Sequence, residues 1–206
     1  MTEFTLQKRY QIFLKTFQKE IDRMFLEQAE FIKCKEGCSY CCEKGEYPFS
    51  KLEFEYLLEG YKKLEPEQKK KILFNIARVN EKKAQNNNEN FMYDCPFLIN
   101  NRCSVYENRG IICRTFGLLC EHDNERLTMP FCQSLGLNYS KIYDKEKGQL
   151  ITEKDGQKLC ETEPRAYRIA RENVLNLSIA KNLNIDWGES KTLIDYLNEY
   201  DIINYT

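Results

Sequence analysis

Apolar side chains recur at intervals of three and four from Tyr10 to Phe25: Tyr10, Phe13, Leu14, Phe17, Ile21, Met24 and Phe25 form one stripe. Lys8, Lys15, Gln18, Lys19 and Asp22 fall between them, so the pattern predicts an amphipathic helix over residues 4–33 whose aromatic stripe packs into a core. Past Pro48, the run Ser50-Lys51-Leu52-Glu53 has the form of a capping box. A helix is expected from there to about residue 64, with Leu52, Tyr56 and Leu57 inward. Pro66 suits the first position of the next helix, which turns Ile72, Leu73, Ile76 and Val79 inward. The asparagine-rich run 85–90 reads as a loop.

Residues 91–135 show no sustained period and are expected to be irregular, with short helical turns. Pro96 cannot donate in a strand ladder, Asn100-Asn101 reads as a turn, and 107–116 predicts a short helix carrying Cys113 and Arg114. Asp155-Gly156 between apolar flanks predicts a small hairpin. Two closing helices are expected within 163–201. The first starts at Pro164 with Tyr167, Ala170, Val174 and Leu177 inward; the second follows Gly188 and offers Leu193, Ile194 and Leu197. Strands alternating with helices are missing, and so is any internal repeat. The fold class expected is mainly α: one helical domain over 1–206 that holds an irregular cysteine-rich metal-binding loop region, with one small β-hairpin. The cysteine-cluster core spans 34–136, between helix 4–33 and helices 163–201.

Charge narrows the function classes. Thirty-one Lys and Arg against 32 Asp and Glu leave a formal charge of −1, which argues against a nucleic-acid partner. No run of 18 apolar residues is present, so no membrane span is expected. The first 15 residues lack a basic start followed by an apolar core, so the expected compartment is the cytoplasm. Thiols stay reduced there, and clusters of reduced thiols bind metal more often than they form disulfides.

Ten cysteines make the metal the central question. Cys34, Cys38, Cys41 and Cys42 crowd into one turn; Cys95, Cys103, Cys113, Cys120 and Cys132 form a second group; Cys160 stands apart. With His122 the only histidine, a full ligand shell must be mostly sulfur, which points to zinc or iron, an iron–sulfur cluster included. The candidate metal ligands are Cys34, Cys38, Cys41, Cys42, Cys95, Cys103, Cys113 and Cys132. Neighbouring side chains on an extended backbone diverge, so Cys41 and Cys42 either serve different metals or act as ligand and support. Arg114, directly after Cys113, is the candidate for binding a cofactor or acidic substrate, or for donating to a ligand sulfur. Cys120 and Cys160 read as small buried hydrophobes and His122 as a surface or locally bonded side chain.

The blocks Cys38-Ser39-Tyr40-Cys41-Cys42, Cys95-Pro96-Phe97-Leu98, Cys103-Ser104-Val105-Tyr106-Glu107-Asn108-Arg109 and Cys113-Arg114-Thr115-Phe116-Gly117 stand in an order that resembles the YkgJ-type cysteine-cluster family. The resemblance covers residues 34 to about 136 and implies a zinc- or iron-chelating domain with a CxxCxxCC-like signature. Family members often carry proline where this chain has Gly110, and a Cys-Pro-Gly block where it has Cys132-Gln133. Some are flagellin lysine N-methylases, so the resemblance permits an enzyme. Under that alternative an iron–sulfur centre and S-adenosylmethionine would serve a protein-lysine N-methylase. The spacing Cys34-x3-Cys38-x-Tyr40-Cys41 is similar to that of radical S-adenosylmethionine enzymes, but their strand–helix alternation is lacking. The first reading is therefore a non-catalytic metal chelator.

Overall fold

The structure, a computed structural model, describes residues 4–86, 91–123, 125–200 and 202. In chain order the helices are α1 (Leu6–Glu27), α2 (Tyr40–Glu43), α3 (Lys51–Lys62), α4 (Pro66–Gln85), α5 (Ile111–Thr115), α6 (Arg171–Leu175), α7 (Ser178–Asn182) and α8 (Leu193–Glu199). The strands are β1 (Pro48–Ser50), β2 (Leu98–Ile99), β3 (Arg102–Cys103), β4 (Cys120–Glu121), β5 (Leu127–Thr128), β6 (Tyr143–Asp144), β7 (Gln149–Leu150), β8 (Glu153–Lys154), β9 (Gln157–Lys158) and β10 (Ser190–Thr192). Helices predominate, and the described strands form only two-stranded antiparallel pairs. Among the described residues no helix is long and apolar enough to cross a membrane. The chain folds into two compact units, one built from residues up to Tyr10, Gly37–Arg114 and the stretch from Ile185 on, the other from Gln11–Glu36 and Thr115–Asn184.

In the first unit, α3 begins as its sequence dictates. Ser50 Oγ accepts from the Glu53 N–H at 3.2 Å, and Glu53 Oε2 accepts from the Ser50 N–H at 2.8 Å. Pro66 is the first residue of α4, where its missing N–H goes unneeded. Leu57 and Tyr61 of α3, Ile72 and Ile76 of α4, and Ile194 and Leu197 of α8 share one buried core. Phe54 stacks on Tyr196 there with centroids 4.8 Å apart. β1 pairs with β10 through Pro48↔Thr192, a partnership that no local pattern announces.

The second unit packs Phe13 on Phe17 at 5.5 Å along α1. It also stacks Phe31 on Tyr139 at 5.5 Å over a core that includes Leu119, Ile142 and Cys160. The Glu30 carboxylate accepts from the N–H groups of Glu161 and Thr162, each at 2.8 Å, and so anchors an irregular segment.

Several expectations need correction. α1 stops at Glu27 instead of reaching residue 33: Gln28 turns its side chain away to accept from the Arg165 N–H at 2.8 Å, and the chain leaves through turns. No helix starts at Pro164. The Tyr167 N–H instead donates to Leu119 O and the Tyr167 carbonyl accepts from Glu121 N–H, both at 2.9 Å, which keeps this stretch extended until α6. Leu177 is 36% exposed, not inward. Of the run 85–90, Gln85 ends α4, and residues 87–90 lie outside the described residues. The expected helix 107–116 is split into a 3₁₀ turn at Tyr106–Asn108 and α5, with Gly110 at the break.

Gly110, where the resemblance leads one to expect proline, is tightly surrounded. A Cβ there would lie 2.6 Å from the Phe49 ring, which is only 1% exposed, so neither alanine nor proline fits without moving the core. Gly110→Ala is expected to destabilise the protein by about 1–3 kcal/mol, the range for overpacking. Thermal or urea unfolding checks this.

Candidate metal centre

Three segments of the first unit bring cysteines together. Cys41 and Cys42 sit on α2, a single helical turn closed by the Cys42 N–H donating to Ser39 O at 2.7 Å. A helical turn holds neighbours on adjoining faces, and the two sulfurs lie 4.0 Å apart. The divergence expected of an extended backbone does not arise.

Cys95 comes next. Its N–H donates to Cys42 O at 2.7 Å, so its backbone lies directly against α2. The chain then turns through the β2–β3 hairpin, where Leu98 pairs with Cys103. Asn100 and Asn101 take φ of 51° and 58°, the left-handed pair of a type I′ turn that asparagine tolerates. Cys113 arrives on α5, whose first N–H, from Ile111, donates to Glu53 Oε1 at 2.8 Å. Glu53 thus caps α3 with one oxygen and holds the cysteine-bearing helix with the other, while being 0% exposed.

The electrostatics link these thiols. Contact with the Cys42 thiol and burial push the Cys41 thiol far up. Burial raises Cys95, and the charges of Cys103, Cys113 and Cys41 add to it. Burial, then Cys103 and Cys41, push Cys113 up to about 12. Cys103 is raised by burial too, with partial relief from the Val105 N–H and from Arg109. Tyr47 is a member of the group that the sequence did not reveal. Its hydroxyl donates to Cys41 O at 3.0 Å, and after burial it feels Cys41, Cys113, Cys42 and Cys95. Gly45 is required beneath it, because a Cβ there would collide with the Tyr47 ring.

Among the described residues, no three His, Cys, Asp or Glu side chains stand closely enough around one point to grip an ion as placed. The five sulfurs are neighbours without being a closed shell. Their chemistry nevertheless fits zinc or iron. Several soft donors share a part-buried site where each thiolate alone would be costly, and a cation removes that cost.

The remaining candidates fall elsewhere. Cys38 lies half-buried in the turn before α2, in the same unit. Cys34 and Cys132 belong to the second unit. Cys34 Sγ accepts from Asn138 Nδ2 at 3.2 Å, and the same nitrogen donates to Gly117 O at 2.8 Å. Asn138, 1% exposed, also accepts from the Lys33 N–H at 2.8 Å, a junction invisible in the sequence. Cys132 is buried in a 3₁₀ turn. Arg114 is 7% exposed, and its guanidinium donates to Glu107 O at 2.7 Å and Arg109 O at 3.2 Å. Burial, then the charge of Arg109, lowers its pKa. Its hydrogen bonds therefore brace the loop that precedes α5.

Comparison with curated proteins finds no match, and comparison with solved structures finds none either. A family model matches residues 33–133, the stretch that contains nine of the ten cysteines. That model, CxxCxxCC, is described as a putative zinc- or iron-chelating domain, and it covers just under half of the chain.

Proposed function

We propose that the protein binds zinc or iron through thiolates drawn from both cysteine groups, with Cys41, Cys42, Cys95, Cys103 and Cys113 as the central donors. What supports this reading is that sulfurs as far apart in sequence as Cys41 and Cys113 feel one another's charge. Cysteine has one side-chain torsion, so its sulfur swings between staggered positions without backbone movement. The shell closes in that way, with each thiol giving up its proton to the solvent. Cys38, in the same unit, is a further donor. Arg114, by bracing the residues before α5, keeps a positive charge beside Cys113 and is the side chain proposed to meet a bound cofactor.

Metal analysis of anaerobically purified protein tests the reading. A stoichiometric complement of zinc in a colourless sample, or of iron in a brown one that bleaches on reduction, is expected. Cys95→Ser is expected to lower metal affinity at least about tenfold, because a ligand thiolate becomes a weakly acidic hydroxyl. Cys160→Ala, in the core of the other unit, is expected to leave it unchanged. Equal affinity in wild type and Cys95→Ser would overturn the assignment. Anaerobic titration with S-adenosylmethionine addresses the methylase alternative: saturable binding moves the function to that enzyme class, and none leaves the chelator.

A further inference from the structure

A second cluster of titratable side chains gathers in the second unit. Alternation along β4 and the residue after it puts Cys120 and His122 on one face, and the register sets Thr128 opposite Cys120. Cys120 Sγ lies 4.0 Å from His122 Nε2, and the same nitrogen lies 2.9 Å from Thr128 Oγ1. On the other side of the ring, His122 Nδ1 lies 3.3 Å from Glu172 Oε1, at the start of α6. Burial pushes the Cys120 thiol up, and Glu172 adds to that; the N–H groups of Ile169 and Ala170 and the charge of Arg126 pull it back. The cluster is reachable from solvent, since the His122 side chain is 22% exposed.

We propose that Cys120, His122 and Glu172 form a thiol–imidazole–carboxylate relay that makes Cys120 a site of reversible oxidation by small hydroperoxides. The two ring nitrogens have different tasks. Glu172 accepts from Nδ1–H and so fixes the tautomer in which Nε2 is the base facing Cys120. Nε2 takes the Sγ proton. The thiolate then attacks one peroxide oxygen: an S–O bond forms, the O–O bond breaks, and the leaving oxygen takes the proton from the imidazolium. Sulfur loses two electrons and becomes a sulfenic acid, while the hydroperoxide is reduced to an alcohol or, from hydrogen peroxide, to water. Cys120 and His122 touch the reacting atoms; Glu172 is a positioning residue. The arrangement replaces the buried, inert role that the sequence suggested for Cys120.

The test uses the full chain as purified, with its metal, treated with hydrogen peroxide and then with dimedone to trap sulfenic acid, read site by site by mass spectrometry. Cys120 is expected to be trapped faster than Cys160, which is 5% exposed. His122→Asn is expected to slow trapping at Cys120 about tenfold, the loss of the base that raises the thiolate fraction. Glu172→Gln is expected to slow it about threefold and Glu172→Asp to restore it, which a merely structural carboxylate would not do. Circular dichroism checks that these surface variants fold. An unchanged rate in His122→Asn, or protection of Cys120 by added zinc that identifies it as a ligand, would overturn the proposal.

Discussion

Glu53→Ala will lower the stability of the protein by about 3–5 kcal/mol, the sum of two hydrogen bonds to a charged acceptor. The carboxylate is 0% exposed and accepts from Ser50 N–H and Ile111 N–H, each at 2.8 Å. Alanine leaves both donors buried without acceptors and opens a void between α3 and α5. Urea unfolding at neutral pH reads the loss. Metal affinity is expected to fall as well, because Ile111 opens the helix that carries Cys113. Glu53→Asp separates the two roles: the shorter arm keeps the local cap on α3 and loses the reach to Ile111. A change under about 1 kcal/mol in Glu53→Ala would show that the junction contributes no more than an ordinary surface bond.

Stripping the metal with a chelator is expected to cost more still and to reverse the dependence of stability on pH. Structural zinc contributes apparent binding energies of about 10–16 kcal/mol in small domains, comparable with or above the net stability of most folds. A melting temperature lower by about 10 °C or more is expected on removal. In the metal-free protein the folded-state pKa of Cys113 lies at about 12, above the usual thiol value. Burial likewise raises Cys95. A raised pKa means that the folded state holds its proton more tightly than the unfolded chain does. That stabilisation is complete below about pH 8.5, the unfolded value, and disappears as pH climbs toward the folded one. The metal-free protein should therefore weaken in alkali. The loaded protein should do the opposite and fail on acidification, since protons compete with the ion by about a factor of ten per pH unit for each thiol proton released. Melting curves from pH 5 to 10, with and without metal, check both arms. The same pH trend in the two forms would refute the thiolate shell.

Local signals carried much of this fold. Ser50 and Glu53 are three residues apart, so a capping box needs nothing from the rest of the chain, and it forms where the pattern says. The same holds for Pro66, for Asn100-Asn101, and for Asp155-Gly156, whose φ values of 52° and 74° make the expected hairpin turn. Long-range partners decided the rest. Pro164 is as good a helix starter as Pro66, yet the Leu119 carbonyl and the Glu121 N–H recruit Tyr167 into a bridge. Tyr47 and Asn138 carry no motif, and only the folded chain sets one against the Cys41 carbonyl and the other between Lys33, Cys34 and Gly117. Cysteine spacing revealed which thiols to watch. It could not reveal that Cys41 and Cys42 ride one helical turn.

The pairing of Pro48 with Thr192 has a consequence for biosynthesis. A nascent chain leaves the ribosome from its N-terminus, so all the cysteines emerge before β10 and α8 do. Leu193, Ile194, Tyr196 and Leu197 must then dock to finish the hydrophobic centre on which the thiol-bearing segments rest. Until that late closure the sulfurs are exposed to surrounding metals and oxidants, and closure over such a sequence separation is slow. Cells starved of metal during translation should accordingly accumulate oxidised nascent chains, and a chain halted before residue 190 should be the preferred prey of proteases.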